Sequence, residues 1–132
     1  MLNVVGAVLL INNNILLPKR SSNLKKMPNK YEFPGGKVEK NETLKQALQR
    51  ELNEELSIQV NLEDIINFPN NILKTEKFIL TIFVVKKWKN ELTINPEINS
   101  SILEIKLDEL KNVEDLLETN KQLIESILDF LK

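Results

Sequence analysis

The sequence predicts an α/β fold: a mixed β-sheet covered by helices. Short β-branched apolar runs recur along the chain, and two stretches carry apolar residues at helical spacing. The two kinds follow one another as strands, helix, strands, helix. The chain has 132 residues, 42% of them hydrophobic, which suits one domain over residues 1–132 with its own core.

Residues 4–11, VVGAVLLI, are apolar and β-branched, and the NNN that follows bounds them as a turn. The apolar run is too short to span a bilayer, and no basic segment precedes it, so strand is the reading. ILLP gives a second strand. Residues 19–30, KRSSNLKKMPNK, are polar and basic and read as a loop. YEFPGGKV is a short strand broken at Pro-Gly-Gly, with Gly35-Gly36 expected to supply a tight turn. Asn41 is placed to cap a helix from Glu42 to Leu56. Leu44, Leu48, Leu52 and Leu56 recur at i+4 as its buried stripe, widened by Ala47.

Beyond that helix, IQVNLEDIINF suggests a strand or two, and KFILTIFVVKKW is the strongest strand in the chain. NELTINPEINS reads as a loop. ILEIKLDEL alternates Leu103, Ile105 and Leu107, as a half-buried strand does. Apolar positions from Leu116 to Leu131 predict an amphipathic helix over 113–131.

Composition narrows the chemistry. The net charge is −1, so no basic footprint for a nucleic-acid polymer is present. There is no cysteine, which removes disulfides, thiolate metal sites and cysteine nucleophiles. There is no histidine, which removes the commonest general base. Proton chemistry must then come from Asp, Glu, Lys or Tyr, or from a metal-bound water. Oxygen ligands favour Mg²⁺ or Mn²⁺.

Glu51, Glu54 and Glu55 stand at i, i+3 and i+4 on the first helix. Like charges so placed cost roughly 0.2–0.5 kcal/mol per pair. The helix C-terminus disfavours anions by about 0.3–1 kcal/mol each. A solvated acidic face is the ordinary reading of such a cluster. A divalent cation among the carboxylates would reverse its sign, and Arg50 is placed to hold one of them in a fixed rotamer.

Gly36, Glu42 and the run Arg50-Glu51-Leu52-x-Glu54-Glu55 together resemble the signature box of the Nudix hydrolases. The box departs at one position, where Ser57 stands for a glycine ahead of the aliphatic Ile58. A serine that closes the helix in the left-handed region should cost roughly 1 kcal/mol; otherwise the helix must end differently.

The resemblance implies an α/β/α sandwich and hydrolysis of a nucleoside diphosphate linked to another group. It implies that Glu51, Glu54 and Glu55, with the Gly36 carbonyl, hold Mg²⁺. Arg50 would orient Glu51, and Glu42 would support the site. The stretch NKYEFPGGKVEKNET resembles the MutT-type subgroup, which cleaves (deoxy)nucleoside triphosphates, 8-oxo-dGTP among them, to a monophosphate and pyrophosphate.

By the same likeness, Lys19 and Arg20 would face the nucleotide. Glu97 would be a further metal-linked or catalytic carboxylate, Phe33 a pocket aromatic and Asn120 the reader of the base. Each side chain has a plain structural reading beside this one. Lys19, Arg20 and Glu97 suit solvated loops, Phe33 suits the core, and Asn120 suits a helix cap.

The expected enzyme is a cytoplasmic, nucleotide-pool hydrolase with no membrane, nucleic-acid or protein partner. A Nudix hydrolase for a cytidine nucleotide, dinucleoside polyphosphate or sugar nucleotide is the alternative, followed by a nucleotide-binding Nudix domain without activity.

Overall fold

A computed structural model describes residues 1–132. Seven strands form one mixed sheet: β1 (Leu2–Ile11), β2 (Asn14–Arg20), β3 (Gly35–Lys37), β4 (Ile65–Ile66), β5 (Ile72–Lys74), β6 (Phe78–Val85) and β7 (Asn99–Lys106). The through-going order is β4-β6-β1-β2-β7. β3 pairs with the first half of β1, and β5 pairs with β6. Only the central β1–β6 pair is parallel, with Leu2 opposite Phe78 and Leu9 opposite Val85. Both strands are apolar on both faces, as strands covered on both sides must be.

The two faces carry separate cores. Val5, Ala7 and Leu9 of β1 meet Phe83 and Val85 beneath α1 (Leu44–Leu56). Val8 and Leu10 point the other way, onto Leu110, Leu116, Leu123 and Ile127 of the C-terminal segment. The result is a helix–sheet–helix sandwich, and it agrees with the expected fold class.

The stripe on α1 packs as its spacing requires from Ala47 onward, while Leu44, the first helical residue, is half-buried. Ala47, Leu48, Leu52 and Leu56 are fully buried. Full burial of a leucine side chain is worth roughly 1.5–3 kcal/mol. The helix starts at Leu44, two residues later than expected, because Thr43 rather than Asn41 caps it. The Thr43 hydroxyl accepts the Gln46 N–H at 3.1 Å, and the Gln46 side chain accepts the Thr43 N–H at 2.9 Å. Asn41 instead has a φ of 69° in the preceding turn. Leu56 ends the helix, and Ser57 follows at φ 60°, ψ 20°, its N–H on the Asn53 carbonyl. The serine therefore keeps the left-handed closure.

The single helix expected over 113–131 is broken. A 3₁₀ helix at Leu107–Asn112 leads to a turn at Glu114–Asp115 and a bridge at Leu116, then α2 (Glu118–Lys121) and α3 (Ile124–Leu131). Tyr31 causes the break. Its N–H donates to Asp115 O at 2.8 Å and its carbonyl accepts the Leu117 N–H at 2.9 Å. This bridge holds Leu116 against Tyr31, out of any helix, and buries it there. No helix of the chain is long and apolar enough to cross a membrane.

Candidate active site

Gly35 and Gly36 do not form the expected turn. Both lie in β3, and no glycine of the chain has a positive φ. They are required by close approach instead. A Cβ on Gly35 would stand 1.9 Å from the Val5 carbonyl oxygen, and one on Gly36 would stand 2.6 Å from Glu51 Cδ. The paired glycines let α1 bring a carboxylate directly against the strand backbone.

Arg50 fixes that carboxylate. Its Nε donates to Glu42 Oε2 at 2.7 Å and its Nη2 to Glu42 Oε1 at 2.9 Å, a two-pronged pair. Its Nη1 donates to Glu51 Oε1 at 2.9 Å and reaches Glu54 Oε2 at 3.4 Å. Nη2 also donates to the Lys37 carbonyl at 3.1 Å, which ties the end of β3 to the helix. The bond from Arg50 and the Glu39 N–H hold the Glu42 carboxyl well below the usual range, at about 2. Arg50 in turn is pushed above its ordinary value, mainly by Glu42.

The three glutamates of the helix occupy three environments. Glu55 is buried, Glu51 is mostly covered, and the Glu54 side chain is 54% exposed beside Arg50. No three acidic side chains converge on one point. Burial raises the Glu55 carboxyl to about 9, with the nearby Glu32 and Glu51 charges adding to it. Glu51 is also raised, again by burial first.

Whether these residues suit a cation is decided by Glu55 Oε2, which is buried with no hydrogen-bond partner. An orphaned carboxylate oxygen beside a second carboxylate, under a glycine backbone, is a set of hard oxygen donors. The donor chemistry fits a divalent cation at Glu51, Glu55 and Gly36, with Glu54 on the open side.

A cavity of about 320 Å³ adjoins this cluster and shares Gly35 and Gly36 with it. Phe33, Phe78, Leu80 and Leu117 are part of its apolar lining, and Arg20, Lys26, Glu32, Lys37, Thr119 and Asn120 are its polar groups. A wider open groove lies along α3, lined by Lys111, Ile124 and Leu128 among others, but it shares no residue with the glutamate cluster.

The structure treats the remaining expected residues differently from one another. Phe33 is buried and lines the cavity, so it is both core and wall. Asn120 is buried in α2 and does not act as a cap. Its Oδ1 accepts the Phe33 N–H at 2.8 Å, which fixes the amide with Nδ2 free of protein partners. Arg20 lines the cavity with its guanidinium bound to Glu32 and to loop carbonyls. Lys19, on the neighbouring position of β2, lies outside the lining with its ammonium over the Tyr31 ring, 5.6 Å from the centroid.

Glu97 is exposed and makes no side-chain bond. Its loop is held near the end of α1, where the Asn95 N–H donates to Glu55 O at 2.9 Å.

The NUDIX domain family model matches residues 2–127. The chain belongs to the Nudix family. A Proteus vulgaris protein described as an 8-oxo-dGTP diphosphatase is 43% identical over 82 residues, 61% of this chain and 71% of that one. An Escherichia coli protein described as a CTP pyrophosphohydrolase is 39% identical over 66 residues, 50% of this chain and 48% of that one. The crystal structure of a MutT Nudix hydrolase from Burkholderia pseudomallei superposes with a TM-score of 0.80 at 20% identity. That match covers 96% of this chain and 97% of the other, and it carries the fold alone. The chain is thus a MutT-like Nudix hydrolase, and its sandwich is the Nudix fold.

One residue of this Nudix site has no role in the sequence reading. Glu32 is buried between Tyr31 and Phe33 and pairs with Arg20 at 3.2 Å. Burial raises its carboxyl despite that partner. A lone acid between two aromatic residues, just ahead of Pro-Gly-Gly, was the available signal, because a charge in such a place needs a partner.

Proposed function

We propose that this Nudix hydrolase cleaves a (deoxy)nucleoside triphosphate, 8-oxo-dGTP in particular, to the monophosphate and pyrophosphate, using Mg²⁺ or Mn²⁺. One observation carries the reading: Gly35 and Gly36 border both the Glu51–Glu55 oxygen cluster and the cavity that holds Asn120. A polyphosphate crossing the glycines would reach the carboxylates while its base occupies the cavity.

Each side chain then has a task. Glu51, Glu54 and Glu55, with the Gly36 carbonyl and Glu97 from its loop, would hold the cation. A bound divalent cation neutralises polyphosphate charge and makes water more acidic. Arg50 favours the ionised form of Glu51 against its burial and orients it through their 2.9 Å bond. A carboxylate at Glu51, Glu54 or Glu97 accepts the proton of the attacking water. Phe33 walls the base site.

Asn120 is the reader of the base. With Oδ1 already on Phe33 N–H, its Nδ2 presents donors to the cavity. Donors suit the six-position oxygen of a guanine-like base. Discarding an oxidised nucleotide before it is polymerised would place the enzyme in the cytoplasm, with no protein or nucleic-acid partner.

The CTP pyrophosphohydrolase relative supports a second reading, with the same metal chemistry on a cytidine nucleotide. A panel of dNTPs, NTPs and 8-oxo-dGTP separates the two when phosphate products are resolved by chromatography. Preferential conversion of 8-oxo-dGTP supports the first reading, and preferential conversion of CTP or dCTP replaces it with the second.

A further inference from the structure

We propose that Met27 forms the outer wall of the base site and that Arg20 is the positioning residue that holds it there. The proposal rests on the nucleotide reading above and assigns Arg20 a task other than direct contact with the nucleotide. All three guanidinium nitrogens of Arg20 are engaged within the protein. Nη1 donates to both oxygens of Glu32, at 3.2 and 3.3 Å. Nε donates to the Met27 carbonyl at 3.1 Å and to the Lys26 carbonyl at 3.3 Å, and Nη2 donates to the Lys26 carbonyl at 2.9 Å. The Arg20 backbone closes the same loop, its N–H on Lys30 O at 2.8 Å and its carbonyl taking the Asn29 N–H at 3.1 Å.

The arginine thus joins the 21–30 loop to a buried carboxylate beside the glutamate cluster of α1. What it holds is an unfavourable conformation. Met27 has a φ of 48°, a region that bulky side chains seldom occupy. Such a residue persists only where its surroundings fix it. Here the guanidinium grips the carbonyls of the two peptides that flank the Met27 Cα.

The conformation leaves a large apolar side chain largely uncovered by the protein. Met27 is 59% exposed, yet it belongs to the lining of the cavity that Phe33, Phe78, Leu80 and Leu117 make apolar. An exposed methionine at the rim of an apolar cavity is a ready partner for a flat ring, because its thioether is polarizable and its chain adapts. A nucleobase in the cavity would cover it, and a purine would cover more of it than a pyrimidine.

Steady-state kinetics on Met27→Ala, Met27→Leu and Arg20→Lys test this, together with limited trypsin digestion at Lys25 and Lys26. Expected for Met27→Ala is a rise in KM for purine nucleotides of about 3–10-fold with kcat within about twofold, and recovery in Met27→Leu. Arg20→Lys should show the same KM rise and faster tryptic cleavage of the loop, since lysine cannot grip Glu32 and two carbonyls together.

Unchanged KM in both Met27→Ala and Arg20→Lys, in an enzyme that turns nucleotides over, would overturn the proposal. So would a fall in kcat alone in Arg20→Lys with tryptic cleavage unchanged. If wild type turns over no nucleotide, the functional reading fails first, and that outcome is visible before any variant is made.

Discussion

Glu51 and Gly36 occupy one space: a single methyl group on Gly36 would stand 2.6 Å from Glu51 Cδ. The glycine is there for the carboxylate, not for a turn. Gly36→Ala should therefore displace Glu51 while leaving β3 intact, because Gly36 has no positive φ. The expected loss in kcat/KM is roughly 100-fold, as for other ångström-scale misplacements of catalytic groups. Circular dichroism should remain that of wild type. Full activity in Gly36→Ala would remove the close packing from the account of the site.

Arg50 binds Glu42, Glu51, Glu54 and the Lys37 carbonyl at once. Lysine keeps the charge but cannot make the two-pronged bond. Arg50→Lys should lower kcat by roughly 10–100-fold, the usual loss when a residue that orients a metal ligand is changed. Its Mg²⁺ requirement, measured as the half-saturating concentration, should rise in parallel. An unaltered Mg²⁺ requirement would argue that Arg50 does not orient a ligand.

The Glu55 carboxyl, raised by burial to about 9 against an ordinary 4.5, predicts a pH dependence of the metal-free protein. The fold holds that proton more tightly than the unfolded chain does. Its contribution to stability is complete below about 4.5 and is lost as pH rises through about 9. Glu51 is raised in the same direction. In EDTA, calorimetry should show Tm falling across this interval, and Glu55→Gln should flatten the fall. Added Mg²⁺ should oppose it, since the cation favours the ionised form. A Tm that rises over the same interval in both proteins would contradict the burial of an unpaired carboxylate.

Ser57 closes α1 at φ 60°. Glycine adopts that region without the steric cost a side chain carries, about 1 kcal/mol. Ser57→Gly should raise Tm by about 3–5 °C and leave kcat unchanged. A lowered Tm would mean that the serine side chain contributes something that its backbone geometry does not reveal.

Much of this was legible in the sequence. The Leu48, Leu52 and Leu56 stripe and the runs in β1 and β6 are set by local periodicity, and they are buried as the pattern requires. The features that were not legible depend on distant contacts. Gly35 and Gly36 read as a turn because glycine freedom is visible in a sequence, whereas the approach of Val5 and Glu51 is not. The C-terminal segment carries a helical pattern, yet Tyr31 pairs with 115–117 and breaks it. Glu32 and Arg20 meet only when the loop between them folds back, and neither residue names the other.

The most direct measurement is the fate of 8-oxo-dGTP on metal-stripped protein before and after addition of Mg²⁺, for wild type and Glu54→Gln, with products separated by anion exchange. Wild type should release 8-oxo-dGMP and pyrophosphate only once Mg²⁺ is present, and Glu54→Gln should release little of either. Product formed equally without the cation, or no monophosphate from any nucleoside triphosphate in its presence, would contradict the assignment of these glutamates to a metal-dependent hydrolase.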